Sequence, residues 1–291
     1  MEKLELSQVV QGFWRLNTWQ MDSQTLNRHL NELVEMGVTS MDHADIYGDY
    51  TCEGLFGQAL KLSPNLRDSM QIITKCGIEL VSKTQKLHDY HQYNYTKEHI
   101  EASVERSLKE LNINEIDLLL LHRPSPLLNP VEVADTLKGL HQGGKVKHFG
   151  VSNFKRHQFD VLQKAMQSIG LNLEYNQVEI SPLCLENIED GTLNDMLTRD
   201  VDIMCWSPLA GGNIFKTSET NRVLQSVAKK YETTIDDISY RFINQLPNKI
   251  HPIVGSQNIQ RTQIAQKAMN SSLDSKDWFE IYKATLGRDI L

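Results

Sequence analysis

A chain of 291 residues, 40% of them hydrophobic and 23% charged, buries a large core without disulfide or metal staples and has room for two average domains or one α/β barrel. Its net charge of −7, with both signs interspersed, leaves no basic stripe and argues against a nucleic-acid partner. No apolar run reaches the length of a membrane span, no leader pattern follows Met1, and the four cysteines show no CxxC spacing, so a cytoplasmic protein with reduced thiols and no membrane attachment is expected.

In chain order, strand-like and helix-like segments alternate. Residues 8–12 form a short apolar strand, followed by the aromatic-basic Phe13-Trp14-Arg15. From Asp22 the period becomes helical, with Leu26, Leu30, Leu33, Val34 and Met36 on one face and Gly37 at the C-cap position. Residues 38–42 read as a strand that ends in polar crowding at Asp42, His43, Asp45 and Tyr47. A helix over 51–62 and a strand over 70–74 ending in Lys75 come next.

Residues 77–95 contain His88, Tyr90, His91, Tyr93 and Tyr95 and follow neither period, so a long loop is expected there. Thr96 then caps a helix with Ile100, Val104, Leu108 and Leu111 as its stripe. Residues 115–121 (EIDLLLL) have no wet face and read as a strand buried inside a parallel sheet. In the second half, helices over 130–142, 155–168, 192–199, 219–231, 235–245, 258–269 and 275–286 are interleaved with strands over 146–151, 173–178, 201–206 and 251–254.

Eight strand–helix units without a linker or composition shift predict an α/β fold: a (β/α)8 TIM barrel forming a single domain over 1–291. A doubly wound open sheet is the alternative, although no GxGxxG follows the first strand. In such a barrel the C-terminal strand ends converge on one face. Here they carry Asp42, Lys75, His122, Ser152-Asn153, Gln177, Trp206 and Gly255-Ser256.

Seven motifs in order, DHADIYG (42–48), ITKCG (73–77), LLLLHRP (118–124), GVSNF (150–154), YNQVEISP (175–182), WSPLAGG (206–212) and GSQNIQR (255–261), make the chain resemble the aldo-keto reductase superfamily, and most of all its bacterial oxidoreductases of the YdhF type. The resemblance covers nearly the whole chain. It implies a catalytic tetrad of Asp42, Tyr47, Lys75 and His122 that reduces aldehydes and ketones to alcohols with NADP(H). Tyr47 is the implied general acid, its pKa lowered by Lys75, while Asp42 pairs with Lys75 and His122 orients the substrate oxygen.

The same resemblance implies that Ser152, Asn153 and Gln177 hold the nicotinamide carboxamide, a group needing both a donor and an acceptor. Trp206 stacks on the ring, and Ser207, Pro208, Leu209 and Gly211 wrap the pyrophosphate. Gly255, Ser256 and Arg261 meet the adenosine end, with Arg261 on the 2′-phosphate. Family members often carry Lys where this chain has Gly255, and Glu-Asn where it has Ile264-Ala265, which thins the adenosine contacts.

Phe13 and Trp14 are expected to form an aromatic wall for a small-molecule carbonyl substrate in an open pocket. No metal is expected, since neither His88/His91 nor His43/Asp45 makes a ligand set. Two other readings stay open at this point. One is a binding module like the potassium-channel β-subunits, which resemble the family; the other is a lyase using Lys75 as a Schiff-base nucleophile.

Overall fold

The computed structural model describes residues 2–83 and 88–290. Its main strands are β1 (Val10–Gly12), β2 (Ser40–Asp42), β3 (Gln71–Cys76), β4 (Ile116–Leu121), β5 (Val146–Ser152), β6 (Leu173–Glu179), β7 (Asp202–Trp206) and β8 (Ile250–Val254). They close into a barrel in the order β1-β8-β7-β6-β5-β4-β3-β2. Helices follow the strands, giving the expected (β/α)8 architecture. Two compact units divide the chain, Met1–Asn176 and Gln177–Leu291, and the division falls inside β6 and not in a linker.

In the first unit, α1 (Ser23–Glu35), α2 (Cys52–Leu60), α3 (Lys97–Leu111), α4 (Pro130–Gln142) and α5 (Arg156–Ser168) follow β1 to β5. Their starts are set by local chemistry. Asp22 accepts from the Thr25 amide at 2.7 Å, and Asn129 precedes a proline at the first helical position. Every residue of β4 is buried, because a parallel strand in a barrel has side chains on both faces. Leu26, Leu30 and Leu33 of α1 are at most 2% exposed; full burial of such a side chain contributes roughly 1.5–3 kcal/mol.

Register then places the strand ends at one level. Gly12 pairs with Asp42, Asp42 with Ile73, Cys76 with Leu121, and Leu121 with Val151. The parallel ladder therefore delivers Asp42, Lys75, His122 and Ser152 to the same face of this unit.

The expected loop over 77–95 is partly structured. Ile78–Glu79 and Gln92–Tyr93 form an antiparallel pair with Ile78 opposite Tyr93 and Glu79 opposite Gln92. Strands of two residues are too short to leave a periodic signature. Residues 84–87 of that segment lie outside the described residues.

In the second unit, α6 (Thr192–Thr198), α7 (Glu219–Lys230), α8 (Ile235–Asn244), α9 (Ile259–Ala268) and α10 (Ser275–Leu286) surround β7 and β8. Trp278 of α10 stacks on Phe242 of α8 with centroids 4.7 Å apart, and its indole N–H donates to the Phe242 carbonyl at 2.9 Å. Among the described residues no helix is long and apolar enough to cross a membrane.

Candidate active site

Lys75 is fully buried at the end of β3, and its ammonium uses all three donors. Nζ reaches Asp42 Oδ1 and Oδ2 at 2.8 and 2.9 Å, the His43 main-chain oxygen at 2.6 Å and the Tyr47 hydroxyl at 2.9 Å. Burial alone pulls its pKa down, but the Asp42 carboxylate and then Tyr47 outweigh that and leave it above the usual lysine value. Asp42 is 2% exposed. The His122 ring stands edge-on to the Tyr47 ring at 6.0 Å between centroids. Thus the structure brings the four expected residues together within the first unit.

One property of this cluster differs from expectation. Tyr47 is not acidified: burial raises its pKa, Lys75 opposes that and Asp42 adds to it, so the net direction is upward. The expected net lowering by Lys75 therefore fails, because desolvation of a tyrosinate outweighs one neighbouring cation. His122 is neutral, held well below the usual histidine value by burial first and then by Lys75 and Arg123.

The turn carrying Tyr47 is strained. Gly48, Asp49 and Tyr50 have φ of 58°, 60° and 66°, a left-handed run that costs of order 1–3 kcal/mol at each non-glycine position. A Cβ on Gly48 would sit 2.5 Å from Cys52 Sγ and 2.8 Å from Asn17 Cγ, so a side chain there meets its neighbours as well as the backbone penalty. The turn is fastened by the Thr51 amide on the Tyr47 oxygen at 3.1 Å and the Thr51 hydroxyl on the Gly48 oxygen at 2.6 Å.

Behind β3 lies an acidic pair absent from the sequence reading. Asp45 Oδ2 accepts from Ser103 Oγ at 2.6 Å and from Arg106 Nη2 at 3.3 Å. Glu53 accepts from Thr74 Oγ1 at 2.6 Å and from Ser107 Oγ at 3.0 Å. Glu53 sits beside Cys52 and Phe56 on the buried face of α2, and a lone Glu within that apolar stripe was the available signal.

Burial raises Asp45 to about 6 and Glu53 to about 7. Between the ordinary glutamate value of 4.5 and about 7 the native chain holds a proton on Glu53 that the unfolded chain has lost. Stability from this group is therefore whole below 4.5 and is lost as pH rises from there through 7, by on the order of 3 kcal/mol. Urea denaturation from acid to neutral pH should show this decline, and Glu53→Gln should flatten it; an unchanged slope in the variant would count against a proton on Glu53.

The aromatic wall expected from Phe13 and Trp14 is not formed as a pair. Phe13 is 0% exposed, stacked on His43 at 4.7 Å and edge-on to Phe56 at 5.0 Å. Its ring has no face left for a ligand, because an apolar ring next to a strand end gains more from the core than from the rim. Trp14 is 57% exposed under the Arg15 guanidinium at 4.9 Å. His43 is driven to about 3 by burial and then by Lys75, so the ring between the two phenylalanines is neutral. Among the described residues no group of three or more His, Cys, Asp or Glu side chains is placed to hold a metal ion.

The expected nicotinamide contacts can be described unit by unit. In the first, Ser152 ends β5 at 1% exposure, and Asn153 has φ 61° with its amide donating to Ser152 Oγ at 2.8 Å. In the second, Gln177 is 3% exposed, with Nε2 3.8 Å from Met204 Sδ. Trp206 ends β7, half-buried.

After Trp206 the backbone changes hand repeatedly. Ser207, Ala210, Gly211 and Gly212 have φ of 51°, 48°, 62° and 92°, while Leu209 has φ −107°. Within this turn the Ala210 amide donates to the Ser207 oxygen at 2.7 Å and the Gly212 amide to the Leu209 oxygen at 2.8 Å, which holds its shape. A Cβ on Gly211 or Gly212 would meet nothing within 4 Å, so the backbone is open to close approach. Pro208 is buried, and Gly255 is exposed with open space beside it. The Ser256 hydroxyl accepts from the Asn258 amide at 3.1 Å just before α9. Arg261 is exposed, and its guanidinium has no hydrogen-bond or ion-pair partner among the described residues. An open turn at 211–212 and, before α9, a helix start with an exposed guanidinium leave room for a dinucleotide.

Comparison with known proteins agrees. The model of the "Aldo/keto reductase family" matches residues 8–285. The chain is 44% identical to "Uncharacterized oxidoreductase YcsN" of Bacillus subtilis (strain 168), over 99% of this chain and 97% of that one. It is 41% identical to "Oxidoreductase YdhF" of Escherichia coli (strain K12), over 98% and 96%. It is 37% identical to a "6-dehydroglucose reductase" of Agrobacterium fabrum, over 99% and 97%. The fold also matches a crystal structure of the thermostable aldo-keto reductase Tm1743 in complex with the inhibitor epalrestat, with a TM-score of 0.79 and 23% identity over 98% of this chain and 100% of that one. Enzymes of this family use nicotinamide cofactors, and an oxidoreductase consistent with carbonyl reduction is what the site and these relatives have in common. The chain belongs to the aldo-keto reductase family.

Proposed function

We propose that this chain is an NADP(H)-dependent reductase of aldehydes and ketones, with Tyr47 as general acid and 1–291 working as one barrel domain. The observation that carries the reading is the Lys75 ammonium held between Asp42 and the Tyr47 hydroxyl. The cofactor, when bound, supplies a hydride to the carbonyl carbon. Tyr47 gives its proton to the developing alkoxide, and Lys75 stabilises the tyrosinate that remains. Asp42 keeps Lys75 charged and in place. His122, being neutral, offers an N–H to the substrate oxygen without repelling the proton donor.

Ser152 and Asn153 in the first unit, and Gln177, Trp206 and the 207–212 turn in the second, are assigned to the nicotinamide and pyrophosphate. Gly255, Ser256 and Arg261 are assigned to the adenosine end, with Arg261 on a 2′-phosphate. Its unpaired guanidinium supports NADPH over NADH. Trp14 is the aromatic group left for the substrate side. A reducing compartment, the cytoplasm, is supported by the free cysteines Cys52, Cys76, Cys184 and Cys205.

A Schiff-base mechanism is disfavoured by the same geometry. A nucleophilic lysine needs a depressed pKa and a free lone pair, whereas Lys75 is raised and committed through all three donors.

Titration with NADPH and with NADH, followed by quenching of tryptophan fluorescence, tests the proposal. NADPH should bind more tightly, and Arg261→Ala should weaken NADPH by on the order of tenfold while sparing NADH, since a hydrogen bond to a charged group is worth roughly 1.5–3 kcal/mol. Preference for NADH overturns the role of Arg261, and binding of neither cofactor overturns the reductase reading.

A further inference from the structure

His122 makes no side-chain hydrogen bond among the described residues, and its Nδ1 is buried without a partner. Besides the packing of its buried ring, what holds His122 in place is its main chain. On one side, the His122 amide donates to the Cys76 oxygen at 2.9 Å. On the other, a single side chain holds both polar groups of the next residue. The Arg123 amide donates to the Tyr95 hydroxyl at 3.1 Å, and that hydroxyl donates to the Arg123 carbonyl oxygen.

Tyr95 is itself fixed to the strand that carries Lys75. Its ring lies over Gly77, where a Cβ would come within 2.0 Å of Tyr95 Cε1, and Gly77 has φ +101°. Only glycine meets both the conformation and the close approach. The Asn94 amide donates to the Gly77 oxygen at 3.0 Å, and Thr96 caps α3 through the His99 amide at 3.4 Å. Tyr95 is 8% exposed, and burial drives its pKa up, so the phenol is protonated at every working pH and donates and accepts at once. Cys76, His122, Arg123, Tyr95 and Gly77 thus form a closed circuit of contacts.

We propose that Tyr95 is a positioning residue for His122, clamping the main chain just beyond it so that the imidazole keeps its place beside the Tyr47 hydroxyl. The inference rests on the reductase reading above, in which His122 meets the substrate oxygen. It assigns a role in the reaction to a residue of the 77–95 segment that touches neither substrate nor cofactor.

The test is a double-mutant cycle on kcat and KM for an aromatic aldehyde such as 4-nitrobenzaldehyde with NADPH, using Tyr95→Phe, His122→Ala and the double variant. Tyr95→Phe keeps the ring on Gly77 and removes both bonds to Arg123. It should lower kcat by about tenfold, because small displacements of a reacting group are costly, and should leave KM and cofactor affinity near wild type. In the His122→Ala background the same substitution should add nothing, since the group it positions is gone.

An equal loss in both backgrounds marks a merely structural role and overturns the inference, as does wild-type kcat in Tyr95→Phe. Hydrogen exchange at the Arg123 amide of the wild-type protein reads the clamp without any variant; rapid exchange there also overturns it. Wild-type protein that reduces no carbonyl, or His122→Ala that turns over at the wild-type rate, overturns the functional reading on which the inference stands.

Discussion

Replacement of Tyr47 by Phe is expected to cut turnover by roughly 10²–10⁴-fold, the usual worth of a positioned proton donor, with nicotinamide binding unchanged. The substitution removes one oxygen and leaves the ring, so packing and cofactor contacts persist while the bond to Lys75 at 2.9 Å disappears. Because burial holds Tyr47 above its ordinary value, the donor is fully protonated through neutral pH. Carbonyl reduction should therefore be flat through the neutral range and fall only in alkali, whereas alcohol oxidation, which needs the tyrosinate, should rise with pH. Stopped-flow reduction and oxidation profiles of the wild type and Tyr47→Phe check this. Turnover in the variant close to wild type would remove Tyr47 as the acid.

The second large effect is expected from Lys75→Met, and it has two parts. Activity is lost because nothing then stabilises the tyrosinate. Stability falls as well, since Asp42, 2% exposed, is left buried in a site that has lost its partner; breaking a buried pair from one side costs about 3–5 kcal/mol. The two parts separate in the double variant Asp42→Leu/Lys75→Met. Removing both charges should restore most of the stability measured by urea denaturation, and none of the turnover. Full stability in Lys75→Met alone would mean that the bonds at 2.8 and 2.9 Å contribute little to folding.

The barrel was legible in the sequence because its strands and helices carry opposite periods. The run 116–121 has no polar face, as a barrel strand requires, and Leu26, Leu30 and Leu33 repeat as one stripe on α1. Strand ends marked Asp42, Lys75 and His122, and the motifs DHADIYG, ITKCG and LLLLHRP, through the family resemblance, added Tyr47 to the group that the structure brings together.

What stayed hidden depends on three-dimensional competition. Phe13 was expected at the pocket and lies between His43 and Phe56, a choice made by neighbours distant in sequence. The Asp45–Glu53 pair became visible only when Ser103 and Ser107 of α3 came against it. The upward direction of the Tyr47 pKa follows from weighing burial against a cation, and a sequence contains no measure of burial. The hairpin at Ile78–Glu79 and Gln92–Tyr93 joins strands too short to announce themselves.

The exhaustion of Lys75's donors has a consequence for the chain's own survival. Carbonyl compounds are electrophiles that condense with amines and thiols, and a site that concentrates them exposes its own nucleophiles. Here the amine of Lys75 and two thiols are disarmed. Lys75 is charged and sealed at 0% exposure, while Cys76 next to it and Cys52 of α2 are at most 1% exposed, with burial pushing both thiols away from the reactive thiolate. On the proposed reading, the arrangement that readies Tyr47 to give a proton also keeps Lys75 and these two thiols from reacting with an aldehyde.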